Sequence, residues 1–421
     1  MIAEIMATGE EIRTGALIDS NSAYIAAKLG ENGVAVTRHT SVGDDLEFIS
    51  AALTEIGRRA DVAIVTGGLG PTADDLTAEA AAKAAGVRLD LDPSALQSVE
   101  HFFKARQRPM NSASRKQAYL PVGADCIQNP VGTAPGFSLK IGECRFFFLP
   151  GVPAEMRRML SDAVLPQIHA RMGDQHLLYL TRTLSTFGLT ESQTSERLAG
   201  LKEVYPQIAL GLQVQFPCIL VTLYASGSKE RQLNADLAAA AAWVTQKMGP
   251  KVISPIGDPI EKVVGDLLKQ KQARLALAES CTGGLMADKL TGVSGSSDYF
   301  VFSGVTYSNQ AKIDILKVSK DTIERHGAVH TETAIEMARG ARDISGATYG
   351  LSTSGIAGPT GGTAEKPVGT VCIGLATPEG TAGHRFRFWF NSRSLHKQMF
   401  ASAALEVLRR ELLGLHPPRF E

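Results

Sequence analysis

Ser280 and Cys281 stand side by side in ESCTGG, where an apolar run, RLALA, gives way to two glycines and a helical pattern, GGLMADKLTG. At such a strand-to-helix turn the backbone N–H groups of the helix start face a reacting group, and Gly283 and Gly284 let a ligand approach that backbone closely. A tetrahedral oxyanion or a phosphate suits the position; so does plain turn packing. Two further stretches add chemistry: VTYSNQAKID carries Tyr307, Asn309 and Lys312, and STSGIAGPTGG carries Ser354, Gly355 and Gly358. A lysine is by default a solvated surface charge. Buried in the first turn of a helix, it gives up its proton more readily and can serve a serine as base, as in Ser-Lys hydrolases. No histidine is placed to do so, and the spacing of His326 and His330 is interrupted by Gly327, which argues for a turn rather than a metal site.

A second constellation is TGGLGPTADDLT, between the apolar strand pattern DVAIV and the helical pattern TAEAAAKAAG. Gly67, Gly68 and Gly70 make a phosphate-compatible loop, with Asp74 and Asp75 entering at the helix start. Carboxylates there complement a helix dipole, and they are equally what a metal-pyrophosphate site needs, because a hard cation bridges Asp and phosphate oxygens. The residues alone leave both readings open.

The elements around these motifs alternate. From Met1 to about residue 168 the pattern is strand, helix, strand, helix, with Ser20 expected to cap the helix SNSAYIAAKLGENG, which predicts a mostly parallel sheet covered by helices. From 176 to 250 the order changes to strand (HLLYLTRTLS), helix, two strands across QIALGLQVQFPCILVTLYA and an Ala-rich helix, with Thr190 and Gln193 fitting a capping box. After the Pro- and Gly-containing ISPIGDPIE the α/β alternation returns.

The 421 residues carry 43 basic and 43 acidic side chains, so no overall charge draws the chain to nucleic acid or an anionic membrane. Five cysteines show no close pairing, which speaks against a zinc site or a disulfide framework. The start, MIAEIMATGEEI, lacks the basic region of a signal peptide, and no apolar stretch is long enough for a membrane span, so a cytoplasmic location is expected.

AESCTGG, SGVTYSNQAK and TSGIAGPTGG resemble the CinA proteins, whose C-terminal domain is similar to the PncC-type nicotinamide mononucleotide (NMN) deamidases. The resemblance implies that Ser280 is the nucleophile, assisted by Lys312 as base and Tyr307 as proton relay, with Cys281 a packing neighbour. It implies hydrolysis of the NMN carboxamide to nicotinate mononucleotide and ammonia without a cofactor. Thr282, Gly283, Gly284, Asn309, Ser354, Gly355 and Gly358 are then the expected binding residues for oxyanion and 5′-phosphate. ATGEEI, VGDD, GGLGPTADD, NPVGTAPGF and LPGVPAEM resemble the CinA N-terminal domain, itself similar to the MogA/MoaB molybdopterin-binding fold. This implies cleavage of ADP-ribose to AMP and ribose 5-phosphate with a divalent metal cation held by Asp74, Asp75, Asp44 and Glu10 near Gly67, Gly68 and Gly70. Molybdopterin binding is the competing reading. The middle segment resembles a KH-like domain but lacks the GXXG loop that grips nucleic acid, so a joining or dimer-forming role is expected rather than RNA binding. A role as an accessory factor in DNA transactions is the third reading, disfavoured by the charge balance. The expected architecture is two α/β domains, MogA/MoaB-like over 1–170 and NMN deamidase-like over 257–415, joined by an α+β KH-like module over 176–250, in a homodimer with no nucleic-acid or membrane partner.

Overall fold

The structure, a computed structural model, describes residues 1–110, 112–172 and 178–420. Contacts divide it into two units, Met1–Leu180 with Ser226–Leu233, and Thr181–Ala225 with Asn234–Glu421. The middle segment is therefore mostly part of the C-terminal unit. Its first expected strand residues, His176 and Leu177, lie outside the described residues.

The N-terminal unit is built on a six-stranded sheet, in spatial order Ala35–Val42, Ile2–Thr8, Val62–Thr66, Cys144–Leu149, Gly136–Ile141 and Asp125–Ile127. The first four strands pair in parallel and the last two join antiparallel. Gly136–Ile141 and Cys144–Leu149 are linked by a two-residue turn, which only antiparallel neighbours allow. Val62–Thr66 is wholly buried, as expected of a strand covered on both faces. The helix Ser20–Glu31 buries Ile25 and Leu29. Its cap is Asp19, not Ser20: the Asp19 carboxylate accepts the Ser22 N–H at 2.8 Å, and Ser20 is already helical. Asp45 caps the helix Leu46–Ile56 in the same way, which leaves Asp44 free of that duty.

In the C-terminal unit a five-stranded sheet runs Phe300–Val305, Leu275–Glu279, Tyr349–Gly355, Thr370–Ala376, Thr381–Arg387. The first two pairings are parallel and the last two antiparallel. The strand Leu275–Glu279 shows why LALA alternates in size. Leu275 and Leu277 enter a core with Phe400, Leu405 and Leu408 of the helix Arg393–Leu412, while Ala276 and Ala278 face Met337 and Ala341 of the helix Thr331–Ser345. Small residues let that second helix lie against the strands almost backbone to backbone: a Cβ on Gly350 would strike the Ala338 carbonyl, and one on Gly374 the Ala334 carbonyl. The middle segment forms a four-stranded sheet, Ala209–Gln215, Cys218–Gly227, Leu178–Phe187 and Val252–Ser254, with the helix Glu191–Leu198 closed by the expected Thr190–Gln193 capping box. Its last strand extends the module past residue 250. Phe187 and Ile253 enter the same hydrophobic core as Phe388 and Phe400, so this module and the C-terminal sheet share one interior.

No helix among the described residues is long and apolar enough to cross a membrane.

Gly374→Ala should destabilise the C-terminal unit by about 1–3 kcal/mol through overpacking against the Ala334 carbonyl. Gly380→Ala, with open space at that Cβ, should stay within about 0.5 kcal/mol of the parent. Urea unfolding of both variants tests this, and equal midpoints would show that the helix gives way freely.

Candidate active sites

Ser280 directly follows the strand Leu275–Glu279 of the C-terminal sheet, and its N–H donates to the Thr353 carbonyl of the neighbouring, central strand at 3.0 Å. Lys312 comes from the short helix Asn309–Asp314, capped by Ser308, and is 0% exposed. Its Nζ lies 3.1 Å from Ser280 Oγ, 2.8 Å from the Thr306 carbonyl and 3.2 Å from the Tyr307 carbonyl. Carbonyls can only accept. A neutral amine would therefore spend its two N–H groups on them and turn its lone pair to the Ser280 hydroxyl, which can donate. Burial pushes the Lys312 pKa below its ordinary value of 10.5, favouring that neutral state. The cause is desolvation rather than the helix dipole, since Lys312 is the fourth residue of a six-residue helix. Cys281 is buried in the core and its thiol is pushed up to about 12 by burial, which leaves no thiolate to compete.

From Gly283 onward the helix start after Ser280 is not open to a ligand. Glu279, fully buried, accepts the N–H groups of Gly284, Met286 and Ala287 at 3.0, 3.2 and 2.9 Å, while the Gly283 N–H donates to the Ser280 carbonyl. The donors that the sequence assigned to Gly283 and Gly284 are thus spent inside the protein. Thr282 is also buried with its hydroxyl 2.7 Å from that of Thr353, and the Ser354 hydroxyl donates to the Ala328 carbonyl at 2.6 Å. Both hydroxyls brace the loops. Gly355 has no room for a Cβ beside Cys281 and Thr370, and Asn309 is exposed at the first position of its helix.

Tyr307 departs from the relay role. Its side chain is 62% exposed and its hydroxyl accepts from Arg393 Nη2 at 3.0 Å, so it is the Tyr307 carbonyl, not the phenol, that meets Lys312. Arg393 Nη1 donates to the Gly358 carbonyl at 2.8 Å. One turn along the same helix, the Lys397 ammonium lies 3.4 Å from where a Gly283 Cβ would stand. Two cations thus stand against the loops of Tyr307, Gly358 and Gly283, from a helix the motif reading did not reach. An i, i+4 basic pair at the head of NSRSLHKQMF was the available signal. His326 and His330 stack at 4.3 Å, and His330 Nδ1 accepts the Glu332 N–H to cap the helix Thr331–Ser345.

In the N-terminal unit Gly67, Gly68, Gly70, Asp44, Asp74 and Asp75 line one cavity of about 420 Å³, together with Glu11, Asp19 and Glu155, which the sequence reading missed. Gly67 and Gly68 both take positive φ, and a Cβ on either would meet Thr8 or Thr77. Asp75 folds back to accept the Thr72 N–H at 2.9 Å. Asp74 and Asp75 precede the helix Thr77–Ala85 rather than standing in its first turn. Glu10 is not on the cavity wall: its carboxylate pairs with Arg13, which holds its pKa below the usual range, and its neighbour Glu11 turns inward instead. Successive helical residues point about 100° apart, so only one of the pair can face the cavity. Burial holds the Asp44 carboxyl above the usual range, with repulsion from Glu11, Asp74 and Asp75 adding to it against the pull of the Glu10 N–H. Among the described residues no three His, Cys, Asp or Glu side chains converge to hold an ion by themselves. The donor set is still that of a hard cation, provided the ligand's own oxygens complete its shell.

The comparisons agree with this division. The family described as CinA C-terminal domain matches residues 257–412, and that described as probable molybdopterin binding domain matches residues 4–170. A CinA-like protein of Desulfosudis oleivorans is 53% identical over 413 residues, covering 98% of this chain and 100% of the relative. The chain belongs to the CinA-like family. A CinA-like protein of Geobacter metallireducens is 43% identical, with 98% of this chain and 100% of the relative covered. Among solved structures, the competence/damage inducible protein CihA from Agrobacterium tumefaciens is 38% identical, covering 35% of this chain and 91% of its own at a TM-score of 0.35.

The buried Lys312 of this CinA-like chain makes a stability prediction. Because its folded pKa is depressed, the unfolded chain binds more protons than the native one between that value and 10.5, so stability should rise with pH across the window. Lys312→Met, which keeps the volume and removes the charge, should flatten the rise and unfold no more easily than the parent at about pH 7, while losing activity. Urea midpoints at about pH 7 and about pH 9 check it; a parent midpoint that falls with pH would contradict the depressed pKa.

Proposed function

We propose that the C-terminal unit hydrolyses the carboxamide of NMN. The observation that carries this reading is the buried Lys312 Nζ, 3.1 Å from Ser280 Oγ with no room to be a surface charge. Neutral Lys312 takes the Ser280 proton as Oγ attacks the amide carbon. The carbonyl oxygen becomes an oxyanion, facing the N–H groups of Cys281 and Thr282, which are not among those Glu279 binds. One well-placed donor of this kind contributes roughly 3–4 kcal/mol to the transition state. The tetrahedral intermediate collapses, the C–N bond breaks, and the Lys312 ammonium returns the proton so that ammonia leaves. Water, deprotonated in turn by Lys312, attacks the acyl ester; nicotinate mononucleotide departs and Ser280 regains its proton. Arg393 and Lys397 supply charge for the 5′-phosphate, since a guanidinium offers paired donors and an ammonium a point charge. Tyr307, tied to Arg393, is a positioning group in this scheme.

For the N-terminal unit we infer cleavage of ADP-ribose to AMP and ribose 5-phosphate, water adding across the pyrophosphate. The support is one cavity that joins a glycine loop to the carboxylates of Asp44, Asp74, Asp75 and Glu11. A divalent cation, when bound, would offset the pyrophosphate charge. Asp44 is its first candidate ligand, because a carboxyl held high by burial and, after it, by neighbouring acids gains most from a cation. Molybdopterin binding, the description attached to the matching family, is the alternative for the same cavity.

Ser280→Ala should abolish ammonia release from NMN, and Cys281→Ala should retain most of it; the reverse pattern would transfer the nucleophile to the cysteine. Arg393→Ala should raise KM for NMN by about tenfold with kcat little changed. Chelation with EDTA should stop AMP formation from ADP-ribose and leave NMN deamidation intact. AMP formation that survives chelation would sink the cation reading, and tight molybdopterin binding with no AMP formed would favour the alternative.

A further inference from the structure

The middle module lacks a nucleic-acid clamp, yet its hairpin reaches the C-terminal site. Ala209–Gln215 and Cys218–Gly227 pair antiparallel with Gln215 opposite Cys218, so Phe216 and Pro217 form the tip. The Phe216 ring meets Phe390 edge to face, with centroids 5.0 Å apart and planes at 90°. Cys218, next along the tip, packs on the same core.

Phe390 occupies the stretch from Phe388 to Ser392, between the strand Thr381–Arg387 and the helix Arg393–Leu412. That stretch has no regular secondary structure, and Ser392 gives the helix no side-chain cap. Its place is therefore set by packing, by the Phe388 N–H, which donates to the Gly369 carbonyl at 3.0 Å, and by one buried side chain. His396 Nε2 accepts the Phe390 N–H at 3.3 Å, and Nδ1 lies 3.0 Å from the Ala357 carbonyl. The Phe390 ring also lies against His396, with centroids 5.5 Å apart. The next carbonyl, that of Gly358, and the Tyr307 hydroxyl are the two groups Arg393 holds. A continuous line of contact thus runs from Phe216 through Phe390 and His396 to Arg393.

The other end of the module is fixed well enough for the tip to hold a position. Arg409, paired with Glu406 in the interior, donates to the Pro250 carbonyl at 2.8 Å, and Lys251 bonds to the carbonyls of Gly188 and Arg419 at 2.9 and 3.1 Å. Phe187 meets Phe420 edge to face, 5.5 Å between centroids.

We propose that the hairpin tip is a positioning element of the C-terminal site: Phe216, packed on Phe390, fixes the stretch that starts the helix Arg393–Leu412 and so sets the Arg393 guanidinium where the substrate phosphate docks. The inference rests on the reading of Arg393 as a phosphate ligand. Phe216 touches no reacting atom, so its loss loosens the phosphate grip without disturbing Ser280 and Lys312.

The test uses the full chain. Phe216→Ala should raise KM for NMN and the inhibition constant of ribose 5-phosphate by about tenfold, leaving kcat within about twofold and the inhibition constant of nicotinamide unchanged. Phe216→Leu, which keeps an apolar contact, should recover most of the loss. Val214→Ala, exposed on the same hairpin, should match the parent. If Arg393→Ala raises KM and Phe216→Ala does not, the positioning role is overturned while the phosphate reading stands. A rise in both inhibition constants, or a fall in kcat alone, would mean general loosening and would also overturn it. If neither variant alters KM, the phosphate reading falls and the inference falls with it.

Discussion

The C-terminal unit turns on the cost of burying one ammonium. Lys312 has been taken wholly out of water and given two carbonyls and one hydroxyl, and no carboxylate lies among its hydrogen-bond partners. An isolated buried charge is expensive, and the cheaper state is the neutral amine. That state is the one a serine needs beside it. The surrounding fold serves this constraint: the strand Leu275–Glu279 leads into Ser280, the Ser308-capped turn delivers Lys312, and the Glu279 carboxylate accepts the N–H groups of Gly284, Met286 and Ala287 and so fixes the turn after the serine.

The N-terminal cavity works on the opposite principle. Here acids are gathered rather than a base neutralised, and burial, with their repulsion adding to it, keeps Asp44 high. Like charges facing one cavity without a shared cation are a poor resting arrangement, which a cation and phosphate oxygens relieve together. Gly67 and Gly68 hold the loop close because a side chain at either would collide with Thr8 or Thr77. One chain thus carries two electrostatic arrangements, a buried amine beside a serine and a cavity lined with acids.

The helix Arg393–Leu412 connects the pieces of the C-terminal unit. Its buried half carries Phe400, Leu405 and Leu408 into the core, while Glu406 with Arg409 and Arg410 ties the interior to Pro250 and His416. Its start brings Arg393 to Tyr307 and Gly358 and Lys397 to Gly283, in the loops around Ser280. A helix that packs the core at one end and reaches those loops at the other lets the middle module, which shares that core, bear on them.

Much of this was written locally. The alternation of apolar strands with amphipathic helices and the capping box at Thr190 follow from short-range patterns whose physics needs no distant partner, whereas the Ser280–Lys312 partnership and the packing role of Cys281 came from the resemblance of their motifs to the CinA proteins. The glycine loop with Asp74 and Asp75 was legible for the same reason, as a turn leading to a helix start, while Asp44 came from the resemblance alone. What the chain order could not show was how hydrogen-bond donors are shared out. Glu279 reads as the end of a strand, yet it claims N–H groups that the motif seemed to offer a ligand. Glu10 and Glu11 are indistinguishable until the turn of a short helix sends one to Arg13 and the other to the cavity. Arg393 and Lys397 lie more than a hundred residues from Ser280, in a segment with no motif of its own. Only the tertiary fold brings them to the serine, because proximity across a sheet depends on which strands pair and which helix covers them, and neither is encoded in the spacing of residues along the chain.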